Sequence, residues 1–203
     1  MTNARRLMAA SVAAAAILVG CGRSEPDQSS PAGAMEKFAL AELGITPEPY
    51  LACVTGEEDQ IRAVTAMFDY RTAARAFRQT LEWTRGQDGW EAFAPGAEAV
   101  DWNPSDLYER IDRLQIDVQG DAATASLPDG GRTYPLVRKD GRWYVQAAGL
   151  LPTDRTAHAS ARMYTRLSEM LRIKSKKIAR EEYPPKDLGK EVGDEAYRIK
   201  KAR

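Results

Sequence analysis

The chain has 203 residues, with 29 basic and 29 acidic side chains, one histidine and two cysteines. A balance of this kind excludes a generally basic nucleic-acid binder, and so few imidazoles and thiols exclude the usual zinc constellations. No nucleic-acid partner and no cofactor is expected.

The amino terminus reads as an export signal. After Arg5 and Arg6, the stretch from Leu7 to Val19 is apolar except for Ser11. It falls short of the roughly 20 residues that span a bilayer. Leu18-Val19-Gly20-Cys21 closes it and resembles the lipoprotein box, in which a leucine and two small residues precede a cysteine. The resemblance implies a diacylglycerol on the Cys21 sulfur, cleavage after Gly20 and a further acyl chain, palmitate-like, on the new terminus. Two or three chains anchor firmly, where one holds only marginally. An ordinary cleaved secretion signal or an uncleaved membrane helix is the alternative, and neither accounts for the cysteine. Gly22 stands where an aspartate would favour inner-membrane retention, which implies the outer membrane, facing the periplasm. Residues 1–20 are thus the signal peptide, and 21–34 the lipidated cysteine and a flexible tether. The tether, Gly22 to Gly33, is rich in Ser, Pro and Gly and would span about 20 Å.

Residues 35–182 read as a single α+β domain. A short helix is expected at Met35–Leu43, with Gly44 ending it left-handed. Thr55 and Glu58 have capping-box spacing. Beyond them Ile61, Val64 and Phe68, then Ala73, Phe77 and Leu81, recur at helical spacing until Gly86. The stripe loses phase around Tyr70-Arg71-Thr72, which predicts one bent helix or two. Asp101 to Pro104 reads as a cap opening a short helix to about Arg110.

From Leu114 to Ala147 the pattern alternates. Leu114, Ile116 and Val118 form one run; Ala123, Ala125 and Leu127 the next; then Tyr134 and Leu136; then Trp143 and Val145. Gly120-Asp121, Asp129-Gly130 and Asp140-Gly141 separate them as hairpin turns. This predicts a four-stranded antiparallel meander, with Trp143 as a core anchor. Pro135 requires a bulge or a nitrogen facing off the ladder. A long carboxy-terminal helix is expected from about Thr156 to Glu182, with Met163, Leu167, Met170 and Leu171 on one face. Residues 183–203 read as a basic, marginally helical tail. Its Leu188, Val192, Ala196 and Ile199 share a face, yet Gly189 and Gly193 weaken it unless it docks.

Helices followed by a meander ending in Asp140-Gly141-Arg142-Trp143, with Gly120-Asp121-Ala122 at the second strand, resemble the nuclear-transport-factor-2-like superfamily. The resemblance covers about Thr55 to Ala148. It implies a cone in which a curved sheet wraps a helix around an apolar pocket.

Chemistry is sparse. His158 has no evident orienting partner for general-base work. Asp101, Asn103 and Asp106 lack the glycine and distal glutamate of a calcium loop. Cys53, between Ala52 and Val54, reads as a small buried hydrophobe, with a reactive thiol as the alternative. Phe68, Tyr70, Phe77, Trp83, Trp90 and Trp143 are candidates to line a pocket, with Asp69, Tyr70 and Glu82 as its polar groups. Charge is segregated: fourteen acids face seven bases from Ala32 to Arg110, but six acids face eleven bases from Arg172 to Arg203. Lys200, Lys201 and Arg203 are therefore candidate contacts to a protein partner or an anionic surface. The leading expectation is a lipid-anchored envelope protein with a non-catalytic binding or scaffolding domain, taking a partner or a small apolar ligand. A pocket enzyme of isomerase or dehydratase type is the alternative. The other is an envelope-assembly accessory acting through its basic tail.

Overall fold

A computed structural model describes residues 26–102, 107–129, 132–179 and 184–202. Cys21, Asn103, Pro104, Asp106 and Arg203 lie outside them, as do the whole signal peptide and the calcium-loop and helix-cap readings. The elements run α1 (Pro31–Glu42), α2 (Pro47–Leu51), β1 (Val54–Thr55), α3 (Glu58–Phe93), β2 (Gln115–Gln119), β3 (Ala122–Ser126), β4 (Thr133–Lys139), β5 (Arg142–Gln146), α4 (Ala157–Ala179) and α5 (Pro185–Lys201). The fold is α+β. The four-stranded meander is present as β2 to β5, but β1 adds a fifth strand parallel to β5, so the sheet is mixed, in the order β1-β5-β4-β3-β2.

Thr55 is therefore not a helix cap. It belongs to β1, opposite Gln146. The capping box sits two residues later, where the Glu57 amide donates to Gln60 Oε1 at 3.0 Å.

β1 is only two residues long, which leaves the β5 edge open at Trp143. Gln28 fills that gap. The Trp143 amide donates to the Gln28 carbonyl at 2.8 Å, and Gln28 Nε2 donates back to the Trp143 carbonyl at 2.9 Å. An edge strand left with unpaired main-chain groups invites such a partner. The expected tether through residue 34 consequently ends near Gln28, which is buried. Helix α1 begins at Pro31 rather than Met35, with the Ser30 hydroxyl accepting from the Gly33 amide.

Gly44 is not left-handed; positive φ among the described residues is confined to Gly86, Gly120, Gly141 and Asp140. The terminal carbonyls of α1 are satisfied differently. Arg75 Nη1 donates to the Glu42 carbonyl at 3.2 Å, and Nη2 donates to the Gly44 carbonyl at 2.7 Å. With that guanidinium as cap, no left-handed turn is required.

Helix α3 does not break at Tyr70, and its first segment ends at Gly86 as the stripe predicts. A second helical segment follows to Phe93 across a kink at Gly86, whose φ of 69° and ψ of −175° lie in a region open essentially to glycine alone. The phase change near Tyr70 has another origin. Val64, Met67 and Phe68 belong to a first core with α1, α2 and the sheet. Tyr70, Ala73, Phe77 and Leu81 belong to a second core with α4, α5 and residues 93–102.

Trp143 is buried in the first core, as expected. The β2 run is so only in part: Leu114 and Ile116 pack half-buried against that core, while Val118 is 51 % exposed on the outer strand. The connection around Asp129 is not a two-residue turn, since β3 ends at Ser126 and β4 begins at Thr133. Pro135 lies opposite Thr124 in an unbroken register, one residue beyond the β4–β5 ladder. The Arg138 amide points toward β3, at Asp121, so alternation turns the Pro135 nitrogen to the side where β5 has ended. Residues 107–110 form a turn rather than the last part of a helix.

The carboxy-terminal segment is a docked helix. Leu188, Val192, Ala196 and Ile199 of α5 are buried in the second core. Its glycines permit the docking: a Cβ at Gly189 would run into the Phe93 carbonyl, and one at Gly193 into the Gly96 carbonyl. Helical propensity is given up for backbone approach. Lys174, on α4, joins Glu191 at 2.5 Å and Glu195 at 3.0 Å across the α4–α5 contact. The segment expected as a marginally helical tail is thus a docked structural element.

Gly193→Ala is expected to lose stability although alanine is the better helix former by about 1 kcal/mol. Overpacking of this kind costs roughly 1–3 kcal/mol. Deletion after Glu182 should destabilise further by exposing the second core. Urea midpoints measure both, and a Gly193→Ala chain as stable as wild type would show that α5 does not dock this way.

Candidate functional site

A cavity of about 250 Å³ opens where the two cores meet. Met67 comes from the last turn of α3 that serves the first core, and Tyr70 from the first turn that serves the second. Tyr164 of α4 packs against both. Its ring stacks on Tyr70 with centroids 5.7 Å apart. With Met163 and Pro152 these side chains make the apolar half of the wall.

The other half is charged. Arg71, Arg132, Arg155 and Lys200 line it, with Asp101 as the one acid. Arg71 forms an ion pair with Glu42, whose side chain is 4 % exposed against 19 % for the arginine. Burial works against the Arg71 charge, but Glu42, Tyr50, Asp101 and Tyr164 together outweigh it, leaving the guanidinium above its ordinary value. The second Glu42 oxygen and the nearby Tyr50 hydroxyl are buried without a partner among the described residues. Arg132 donates to the Leu150 carbonyl at 3.1 Å. Arg155 pairs with Asp154 and donates to the Lys200 carbonyl at 3.4 Å, closing the carboxy-terminal end of α5. The Asp101 amide donates to the Tyr70 hydroxyl at 2.8 Å. Burial raises the Tyr70 and Tyr164 hydroxyls above the ordinary phenol range.

Of the expected pocket residues, only Tyr70 reaches this wall. Phe68 packs against Tyr50 in the first core, at 5.1 Å between centroids. Phe77 joins Phe93, Trp90 and Trp102 in an aromatic cluster of the second. Trp143 serves the sheet core, and Asp69 is half-buried beside the cavity's helix without lining it. Trp83 is 92 % exposed and lines nothing, because it falls on the outer face of α3. Glu82 pairs with Arg78 one turn away, at 2.8 Å. Of the expected tail contacts, Lys200 turns out to be a cavity residue and Lys201 lies 5.6 Å over the Tyr197 ring. His158 is exposed on the first turn of α4. Cys53 is buried, its thiol pushed up by burial and only partly offset by Lys37.

The residues that sequence reasoning missed are Arg71, Arg132, Arg155 and Tyr164. They come from different elements and loops at no motif spacing, so nothing linear marks them. Among the described residues no cluster of His, Cys, Asp and Glu could hold a metal ion, and no helix is long and apolar enough to cross a membrane. No protein-family model matches the chain, and no curated protein or solved structure matches it either.

The Glu42–Arg71 pair carries a stability prediction. Arg71→Met strands a buried carboxylate and should cost roughly 3–5 kcal/mol, whereas Glu42→Leu with Arg71→Met should recover most of it. A double-mutant cycle by chemical denaturation checks both, and an Arg71→Met chain of wild-type stability would contradict the pairing.

Proposed function

We propose that this chain is a lipid-anchored cell-envelope protein whose α+β domain binds a small ligand at the seam of its two cores, without chemistry of its own. Anchoring is supported by Leu18-Val19-Gly20-Cys21 after a short apolar run. Cys21 and Gln28 are seven residues apart, so at about 3.3–3.6 Å per residue the tether reaches at most roughly 25 Å. The domain then rides close to the outer-membrane surface, on the periplasmic side. The nuclear-transport-factor-2-like resemblance remains part of this proposal. It is supported by helices preceding a meander whose turns carry Gly120 and Asp140-Gly141 at positive φ.

The observation that carries binding is the cavity itself, an open space lined by stacked tyrosines at the junction of the two cores. Binding is favoured over acid–base catalysis by what lines it. A general acid or base works best with a pKa near the operating pH. Arginines do not release protons there, and the two phenols are shifted further away by burial.

Cys21→Ser should abolish lipidation and either release the protein or stall its precursor. Membrane fractionation and the intact mass of the mature protein test this. Unchanged fractionation together with an unshifted mass would overturn the anchor and leave the cavity reading untouched.

A further inference from the structure

We propose that the seam cavity receives a small organic anion, a carboxylate or phosphate group carried on a compact apolar body. This rests on the binding reading above and names its ligand class. The argument is an accounting of donors. A guanidinium offers five N–H groups and an ammonium three, and neither accepts. Arg71 spends one terminal nitrogen on Glu42, and Arg132 spends one on the Leu150 carbonyl. Arg155 is largely consumed by Asp154 and the Lys200 carbonyl. The side chains of Arg132 and Lys200 have no carboxylate partner among the described residues. The Tyr70 hydroxyl accepts from Asp101 and keeps its proton to donate.

Against these donors the wall supplies one carboxylate, Asp101, and that residue is exposed. A group that only accepts, and is negative, complements such a lining. Hydrogen bonds to ionised groups are also roughly twice as strong as neutral ones. The field at Tyr164 agrees, because Arg71, Arg132 and Arg155 all pull its hydroxyl down against the larger effect of burial. Opposite the cations, Met67, Met163 and the Tyr70–Tyr164 stack offer an apolar surface for the rest of the ligand. At about 250 Å³ the space lies below the roughly 300–1,000 Å³ of drug-sized pockets, so that body is compact.

The test uses the full-length chain purified in detergent and isothermal titration with four probes: benzoate, phenyl phosphate, inorganic phosphate and neutral benzyl alcohol. Benzoate or phenyl phosphate should bind, the tighter of the two identifying the anionic group, with affinity falling as salt rises. Inorganic phosphate should bind more weakly and benzyl alcohol not measurably. Arg132→Gln with Lys200→Gln removes two charged donors and should weaken the organic anion by about tenfold or more. Arg138→Gln, on β4 away from the cavity, should change nothing. Benzyl alcohol binding as tightly as benzoate would keep the cavity as a binding site and overturn the anion. Unchanged benzoate affinity in the double variant would overturn the assignment to these cations. Inorganic phosphate matching phenyl phosphate would overturn the apolar half. Silence from all four probes would overturn the binding reading together with the inference.

Discussion

Everything in this fold depends on one helix having to satisfy two cores. An isolated helix presents a single apolar stripe with a period of 3.6 residues, and α3 cannot keep one because its neighbours change along its length. Up to Phe68 it faces α1, α2 and the sheet; from Tyr70 onward it faces α4 and α5. The stripe therefore has to rotate, and it does so within two residues. At such a rotation neither core can pack fully, since side chains leaving one cannot yet enter the other. The cavity lies at that point, with Met67 on one side and Tyr70 on the other.

The same junction explains where the buried charge sits. Arg71 follows Tyr70 directly and reaches Glu42, at the carboxy-terminal end of α1. One turn on, Arg75 reaches the Glu42 carbonyl of α1 and the Gly44 carbonyl. Two arginines a turn apart thus fasten α1 to α3 at the seam. Carboxylates at a helix carboxy-terminus are disfavoured by its dipole, and a facing pair of guanidiniums offsets that cost. Replacing such a pair with apolar residues can cost little, whereas halving it is expensive. What the pair adds here is position. It holds a cation in the wall that hydrophobic packing would not have placed there.

Much of the architecture was legible because it is written in local periodicity. The alternation from Ala123 to Val145, with turn pairs at Gly120-Asp121 and Asp140-Gly141, specified three of the strands and their inward faces. It overstated β2, since an outer strand can carry Val118 in the same alternation without burying it. Capping was misplaced by two residues because Thr55 satisfies the capping-box spacing equally well as Glu57, and only pairing with Gln146 removes it from contention. The apolar stripe of the tail is legible in the sequence, but as a marginal helix rather than as part of the core. Part of its docking surface leaves no hydrophobic signature, because Gly189 and Gly193 meet Phe93 and Gly96 through backbone atoms. The site was the least legible part. Aromatic residues at helix and strand spacing are the main linear signal, and of Phe68, Tyr70, Phe77, Trp83, Trp90 and Trp143 only Tyr70 lines the cavity. The wall is instead assembled from α3, α4, the end of α5 and three loops.

That assembly ties the cavity to the last element of the chain. Lys200 belongs to the final turn of α5, and Arg155 holds the same turn through the Lys200 carbonyl while facing the cavity itself. The glycines that let α5 approach residues 93–96 therefore have a consequence some distance away: they set how far its carboxy-terminal end reaches over Tyr70 and Tyr164. If α5 lifts from α3 and α4, the second core is exposed and the cavity loses one of its four cations together with the partner that fixes another. Core packing and site composition are in this way the same event, and selection on either constrains both. A segment that looks by composition like a disposable basic tail is, by its contacts, what completes the wall.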